Sequence, residues 1–225
     1  MFGAASLGTV WRTIECGGRG RPKTPTAPTS MSSSRHTQAG LEPELRDAVL
    51  QLVLERGLER RDEAFQLSSG EWSHHYVDAK RVLSRGTDLV LVSRAVIAVA
   101  ATLPAVFDAA GGPTMGADAL AHGVSVLSGC DWFTVRKDRK GHGKQKLIEG
   151  SEVEDRSVML LDDVVTTGGS TLRAFETVEA FGARVTLAVC LVARSGRAWE
   201  RLEERGVPFV PLLTWRELGI EPVGS

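Results

Sequence analysis

Two adjacent carboxylates follow a short apolar run in the second half of the chain. Residues 158–161 are all apolar, and Asp162 and Asp163 come directly after them. A run of this kind is typical of a buried strand, and charged groups at its end cost free energy unless something pairs with them. Sugar hydroxyls, a metal ion or both would supply that pairing. We therefore interpret the two acids as ligands of a polar small molecule.

The segment after the acids is suited to bind phosphate. Two apolar residues, Val164 and Val165, are followed by a run of glycines and hydroxyl residues that leads into a predicted helix. That run is Thr166, Thr167, Gly168, Gly169, Ser170 and Thr171. Glycines let the backbone turn its N–H groups toward an anion, and a helix N-terminus adds partial positive charge. A helix cap alone would explain the hydroxyls, but the paired acids favour a phosphorylated sugar.

A strongly basic segment precedes this site. Residues 136–146 carry six Lys or Arg residues and one acid, with two glycines. A loop this polar is expected to be mobile without ligand, and its cations could close over an anionic group and exclude water, so we interpret the segment as a lid. A solvated charged loop and a nucleic-acid patch are the alternatives. The patch is disfavoured because aromatic residues are not interleaved with the basic ones.

Predicted helices and strands alternate along the rest of the chain. This order predicts an α/β fold in which a parallel sheet is covered by helices on both faces, with ligands bound beyond the carboxyl ends of the strands. The predicted strands are 65–67, 75–77, 105–109, 132–135, 158–161, 185–192 and 207–213. The predicted helices are 41–56, ended by Gly57, and 87–103, 116–127, 169–181 and 197–205. Residues 138–150 are predicted to form a polar loop.

The domain organisation follows from composition. Residues 1–40 are rich in Gly, Ser, Thr and Pro without periodicity, so we expect a disordered leader; Met31 could be the true start, and an organelle transit peptide is the alternative. Residues 41–222 are expected to form one domain, with a small N-terminal hood at about 41–80 and a core at about 86–213.

Bulk composition narrows the function further. The 225 residues are 42% hydrophobic and carry a net charge of -1, which favours a globular domain and gives no general attraction for nucleic acid. Cys16, Cys130 and Cys190 are too far apart for a zinc motif and odd in number, so a reducing compartment, the cytoplasm, is expected. No apolar run is long enough to span a membrane.

Residues 158–171 resemble the signature by which type I phosphoribosyltransferases bind 5-phosphoribosyl-1-pyrophosphate (PRPP). The shared pattern is four apolar residues, two acids, two apolar residues and a turn rich in Thr and Gly. The resemblance implies that Asp162 and Asp163 hold the ribose hydroxyls and that residues 164–171 hold the 5′-phosphate. It also implies Mg²⁺, chelated largely by PRPP itself, with the two acids as possible protein ligands.

Further motifs resemble the orotate phosphoribosyltransferases, over about residues 41–222. They are R-K-x-x-K-x-H-G from Arg136, followed by Ile148-Glu149-Gly150, and F-Q-L-S-S-G from Phe65, followed by Ser73 and Tyr76-Val77-Asp78. The resemblance implies that Arg136, Lys137, Lys140 and His142 contact pyrophosphate, with Lys140 and His142 joining the two acids as catalytic residues. It also implies a homodimer in which the lid reaches the neighbouring subunit's site.

The base site is implied by the same resemblance. Arg194 corresponds to an arginine on the orotate carboxylate, Tyr76 to an aromatic near the pyrimidine, and Thr166 also contacts the base. From the residues alone, Arg194 could be a surface residue and Tyr76 could pack in the core. Three positions depart from the family pattern, where relatives often have Lys, Lys and Asp: Ser68, Met115 and Ala193.

The sequence thus predicts an enzyme that transfers the phosphoribosyl group of PRPP to orotate, giving orotidine 5′-monophosphate and pyrophosphate in pyrimidine synthesis. One alternative is a phosphoribosyltransferase for another base, since the PRPP loop is shared among them. The other is a PRPP-binding regulator without catalytic activity, which the basic lid disfavours.

Overall fold

The computed structural model describes residues 41–67, 69–137 and 147–224. The helices are α1 Pro43–Arg56, α2 Ala79–Leu83, α3 Gly86–Ala101, α4 Asp118–Ser128, α5 Gly169–Ala180 and α6 Arg197–Glu203. The strands are β1 Leu58–Gln66, β2 Trp72–Val77, β3 Ala109–Pro113, β4 Asp131–Val135, β5 Ile148–Gly150, β6 Ser157–Val165, β7 Arg184–Ala193 and β8 Phe209–Thr214. The expected disordered leader, including Met31, lies outside the described residues.

A six-stranded sheet in the order β5-β4-β3-β6-β7-β8 forms the centre of the molecule. All its strands are parallel except β5, which pairs antiparallel with β4. Strand β6 lies between β3 and β7, so its side chains alternate between two apolar cores. Met159 and Leu161 join α1, α3 and α4 on one face, and Val158 and Leu160 join α5 and α6 on the other. The predicted fold class is confirmed.

Strands β1 and β2 form a separate antiparallel hairpin in the N-terminal part of the chain. Both predicted strands of this region exist, and each is longer than predicted. The start of β1 was not predicted because the charged residues between 58 and 64 do not alternate in the apolar pattern of a half-buried strand. Helix α1 contributes Val49 and Val53 to the same core as the main sheet and ends at Gly57, as predicted. The boundary between hood and core stays a prediction.

The predicted strand at 105–109 is wrong, because strand β3 runs from Ala109 to Pro113. Its sequence A-A-G-G-P has the composition of a turn, which is why propensity misplaces it. The glycines are needed by the neighbouring strands: a methyl group on Gly111 would collide with the carbonyl of Phe133, and one on Gly112 with the carbonyl of Leu161. Tertiary contact therefore decides the conformation of this segment.

Two strand boundaries also differ from the prediction. The end of the predicted polar loop forms β5, which is too short to show a periodicity of its own. Strand β6 continues beyond residue 161 through both acids, because its pairing with β7 extends to Val165 and Ala193. Asp162 and Asp163 are therefore residues of the strand, not of the turn after it. Helix α2 was not predicted, whereas the other helices lie within a few residues of their predicted positions.

Candidate active site

The carboxyl ends of β3, β6 and β7 open into a cleft of about 1130 Å³ that the hairpin borders. Most of the described residues predicted to bind substrate line it, although they come from distant parts of the chain. They are Tyr76 from the hairpin, Arg136 and Lys137 after β4, Asp163 and Val164 in β6, Thr166, Thr167, Gly169 and Ser170 around the start of α5, and Arg194 after β7. Lys140 and His142, as well as Ser68, lie outside the described residues.

The two acids of β6 have different surroundings. Asp162 is 3% exposed, and its Oδ2 accepts hydrogen bonds from the hydroxyls of Thr171 at 2.8 Å and Ser170 at 3.2 Å. Burial, reinforced by the charge of Asp163, raises the pKa of Asp162 to about 7, while the hydroxyl hydrogen bonds oppose the shift. Asp163 lines the cleft. Asp162 thus fastens the first turn of α5 to the strand, and Asp163 is the acid that a ligand can reach.

The turn before α5 is held by its carbonyl groups. The Thr166 carbonyl accepts a 2.6 Å hydrogen bond from the Ser195 hydroxyl, and the Thr167 carbonyl accepts a 3.4 Å hydrogen bond from Arg201. Gly168 has φ +77°, a left-handed conformation that favours glycine, and caps the helix without a side-chain bond. Helix α5 therefore begins with first-turn amides that its own backbone does not satisfy, which is an arrangement that binds phosphate.

Arg194 is buried, with 1% of its surface exposed, so its interpretation as a surface residue is wrong. Its Nη1 donates to the carbonyl of His75 and its Nη2 to the hydroxyl of Ser73, each at 3.1 Å. Burial lowers the pKa of the guanidinium, and among the described residues no carboxylate pairs with it. A planar anion in the cleft would therefore find a desolvated cation there.

Tyr76 lines the same cleft and is 39% exposed, so it is not a core residue. Its ring meets that of Phe65 edge to face with centroids 6.1 Å apart, and the guanidinium of Arg61 lies 4.5 Å from the centre of the Phe65 ring. Partial burial raises the pKa of the Tyr76 hydroxyl. The aromatic pair gives the hairpin side of the cleft an apolar surface that suits a flat base.

Two residues of this site are not among the predicted site residues. Gly116 lies against the acids, because a methyl group there would stand 2.7 Å from Oδ1 of Asp163. Arg173 lines the cleft one helical turn after Gly169, where its guanidinium lies close to the start of α5. The spacing of Arg173 on the helix could have revealed it. The role of Gly116 depends on the contact between two distant segments and has no local signal.

Two lid residues and two residues that differ from the family pattern lie within the described part of the chain. Arg136 forms a 3.3 Å ion pair with Glu149 across the ends of β4 and β5, and Lys137 is exposed. Met115, in the turn between β3 and α4, is 66% exposed, and Ala193 is fully buried at the end of β7. The predicted contacts of Arg136 and Lys137 with pyrophosphate stay predictions.

In residues 41–67, 69–137 and 147–224, no group of three or more His, Cys, Asp or Glu side chains is placed to hold a metal ion. Asp163, which lines the cleft together with Asp78 and Glu176, fits an ion such as Mg²⁺ that takes most of its oxygen ligands from phosphate and water. The described helices include none that is long and apolar enough to cross a membrane.

Comparison with known proteins identifies the relatives of this chain. The orotate phosphoribosyltransferase of Rhodopirellula baltica is 34% identical over 170 residues, which cover 70% of this chain and 86% of the relative. That of Streptomyces coelicolor is 38% identical over 161 residues, covering 69% and 87%. The structure of Mycobacterium tuberculosis orotate phosphoribosyltransferase in complex with PRPP superposes with a TM-score of 0.65 at 31% identity, over 78% of this chain and 99% of that one. No family model matches the chain.

The sheet order, the acids of β6 and the turn into α5 define a type I phosphoribosyltransferase. Within that class, the identities and coverage place the chain in the orotate phosphoribosyltransferase family. The resemblance recognised in the sequence is confirmed.

Proposed function

We propose that this protein joins N1 of orotate to C1 of PRPP, giving orotidine 5′-monophosphate and pyrophosphate, a step of pyrimidine nucleotide synthesis. One observation carries the proposal: the acid Asp163 and the start of α5 share a single cleft with a buried arginine, Arg194, that no described carboxylate neutralises. The first two suit a ribose phosphate, and the third suits a base that bears a carboxylate.

Binding of PRPP is assigned to β6 and α5. The carboxylate of Asp163 accepts hydrogen bonds from the ribose hydroxyls, and Asp162 supports the turn from behind through Ser170 and Thr171. The 5′-phosphate takes the amides and hydroxyls of residues 166–171, where the helix N-terminus favours negative charge. This arrangement fixes C1 of the ribose in front of the base.

Mg²⁺ would enter with PRPP and would neutralise charge on the pyrophosphate oxygens. Of the two acids of β6, Asp163 suits it better, because it lines the cleft. Asp162 is less suited, since Oδ2 is already occupied by two hydroxyls and the side chain is buried.

The lid, residues 136–146, is proposed to bind the departing pyrophosphate through Arg136, Lys137, Lys140 and His142. Its base is positioned for this role, because Arg136 and Lys137 line the cleft together with Asp163. We expect Lys140→Ala to lower kcat severely while leaving PRPP affinity largely intact, since the cation acts on charge that develops in the transition state. Unchanged kcat would remove the lid from the mechanism.

We also propose a homodimer in which the lid reaches the neighbouring site, and a cytoplasmic location. The dimer is what the resemblance of the lid motif implies, and the wide spacing of the three cysteines supports a reducing compartment. Light scattering of the full chain tests the first and a fluorescent fusion in cells tests the second. A monomer at assay concentration would contradict the dimer, and a signal confined to an organelle would favour the transit-peptide alternative.

The decisive assay is pyrophosphate release from PRPP and Mg²⁺ with a panel of bases. Release with orotate and not with adenine, guanine, hypoxanthine or uracil is the expected result. Release with another base would make the protein a phosphoribosyltransferase of different specificity. Binding of PRPP without turnover of any base would favour a regulator.

A further inference from the structure

The guanidinium of Arg194 is held by the hairpin through two uncharged acceptors. One is the carbonyl of His75 in β2 and the other is the hydroxyl of Ser73, each 3.1 Å away. Neither acceptor neutralises the cation. The residue before Arg194 in β7 is Ala193, an apolar and fully buried side chain that brings no acid to the site. The hairpin thus fixes the orientation of Arg194 without neutralising its positive charge.

The hydroxyl of Ser73 is fully engaged. It donates to the carbonyl of His75 at 3.0 Å and accepts from the amide of His75 at 3.0 Å and from Nη2 of Arg194 at 3.1 Å. A hydroxyl has one donor and two acceptor positions, so this arrangement satisfies all three. Ser73 is 9% exposed, and water has little access to replace it. The hydroxyl therefore holds Nη2 in one orientation.

One edge of the guanidinium is not paired by the protein. Arg194 lines the cleft, and its Nε is buried without a hydrogen-bond partner among the described residues. A guanidinium has five N–H donors in a rigid fork, and the hairpin takes one from each Nη. The edge formed by Nε and Nη2 therefore keeps donors that the protein does not use, and a planar carboxylate that displaces the groups covering Nε would accept two parallel hydrogen bonds from it. An orphan buried donor of this kind is costly unless a ligand satisfies it.

We propose that Ser73 is a positioning residue that sets the preference of the base site for a carboxylate, by holding Arg194 with its Nε unpaired. The inference rests on the proposed function, because orotate carries the carboxylate in question. It adds that selectivity depends on a hydroxyl of the hairpin, Ser73, which is not among the residues that line the cleft. Ser73 and Arg194 are 121 positions apart in the chain, so the hairpin must dock on β7 for the site to discriminate.

The test compares two nucleotides that differ only in the carboxylate. Orotidine 5′-monophosphate and uridine 5′-monophosphate share sugar and phosphate, so the ratio of their dissociation constants reports the carboxylate contact alone. We expect Ser73→Ala to weaken orotidine 5′-monophosphate roughly tenfold and to leave uridine 5′-monophosphate nearly unchanged, since the lost bond is to a charged donor. The conservative variant Ser73→Thr, which keeps the hydroxyl, should restore the ratio.

Steady-state kinetics provide the second readout. In Ser73→Ala, KM for orotate should rise while KM for PRPP stays near the wild-type value. The matched control is Ser128→Ala, which removes a hydroxyl bonded to the Val124 carbonyl within α4 and should change neither constant.

Three results would overturn the inference. They are an unchanged ratio in Ser73→Ala, an equal loss of affinity for both nucleotides, and tighter binding of orotidine 5′-monophosphate, which would mean that the ligand displaces Ser73 from Arg194. Failure of the proposed function has a different signature, because the wild-type protein itself would then neither turn over orotate nor prefer orotidine 5′-monophosphate.

Discussion

At the scale of single residues, the adjacent acids of β6 illustrate how one residue of displacement along a strand changes chemistry. Successive side chains of a strand point to opposite sides, so Asp162 is buried beneath the start of α5 and Asp163 lines the cleft. The first acid is satisfied by protein hydroxyls, whereas the second can pair with a sugar or a metal-bound phosphate.

This difference predicts unequal effects on ligand binding. We expect Asp163→Asn to weaken Mg²⁺-PRPP binding roughly tenfold or more, because the ligand then loses the charged carboxylate that accepts its hydrogen bonds. Asp162→Asn should weaken binding less, and at about pH 5, where Asp162 keeps its proton in the folded protein, it should reduce thermal stability, since the hydrogen bonds with Ser170 and Thr171 are altered. Calorimetric titration measures the first effect and thermal unfolding the second. If the double variant with Ala at both positions bound PRPP like the wild type, the assignment of the site would be wrong.

The raised pKa of Asp162 predicts how stability depends on pH. Burial and the neighbouring charge raise this pKa from 3.8 to about 7, so between these values the folded protein keeps a proton that the unfolded chain has lost. The contribution of Asp162 to the free energy of unfolding is fully present below the unfolded pKa. It is lost as pH rises toward the folded pKa, by at most about 1.4 kcal/mol per pH unit. Urea unfolding without ligand, between about pH 5 and about pH 8, should show a smaller decline in Asp162→Asn than in the wild type. Parallel profiles would contradict it.

At the scale of elements, the turn before α4 limits the space around the acids. Gly116 lies against Asp163, and a methyl group there would stand 2.7 Å from Oδ1. The carboxylate can move aside, so Gly116→Ala should fold but should raise KM for PRPP several-fold. The matched control is Gly86→Ala at the start of α3, where a methyl group meets nothing within 4 Å. Equal kinetics in both variants would mean that the position of Asp163 is not critical.

Helix α5 and strand β3 show why local sequence signals predicted one element well and another poorly. Helix α5 was predicted closely, because its apolar face, the glycines before it and Gly182 after it are all local features. Strand β3 was misplaced because its sequence, Gly-Gly-Pro, is typical of a turn. The glycines are needed there because the backbones of β4 and β6 leave no room for a side chain. A propensity for turns was overridden there by the need for close strand packing.

At the scale of the whole molecule, the proposed dimer predicts complementation between inactive subunits. Lys140→Ala damages the lid and Asp163→Asn damages the PRPP site, so each variant alone should have little activity. If the lid of one subunit serves the site of its partner, a mixed dimer has one site with both groups intact. Random exchange of equal amounts should then restore roughly a quarter of the wild-type sites, because half of the dimers are mixed. Activity of the refolded mixture measures this, and the unmixed variants are the controls.

No recovery after proven subunit exchange would show that each lid acts on its own site. The exchange itself can be followed with two tags on the two variants. A dimer with self-contained sites would leave the chemistry of the cleft unchanged and would alter only the origin of Lys140.

Much of the site could be predicted from the sequence, because its central part is contiguous. The apolar run, the paired acids and the Gly- and Thr-rich turn all lie within residues 158–171, and the basic lid has a composition that is visible without a fold. Local chemistry of this kind also determined the alternation of helices and strands, and from it the parallel sheet. Physical contact between neighbours in the chain is enough to encode these features.

Only the tertiary structure decided the burial and the contacts of site residues that are far apart in the chain. It buried Asp162, left Asp163 half-buried at the cleft, placed Gly116 against them, and brought Arg194 under the hairpin to the Ser73 hydroxyl. The physical reason is that burial and hydrogen-bond partners are properties of the packed sheet and hairpin, whose contacts join segments that are far apart in the chain.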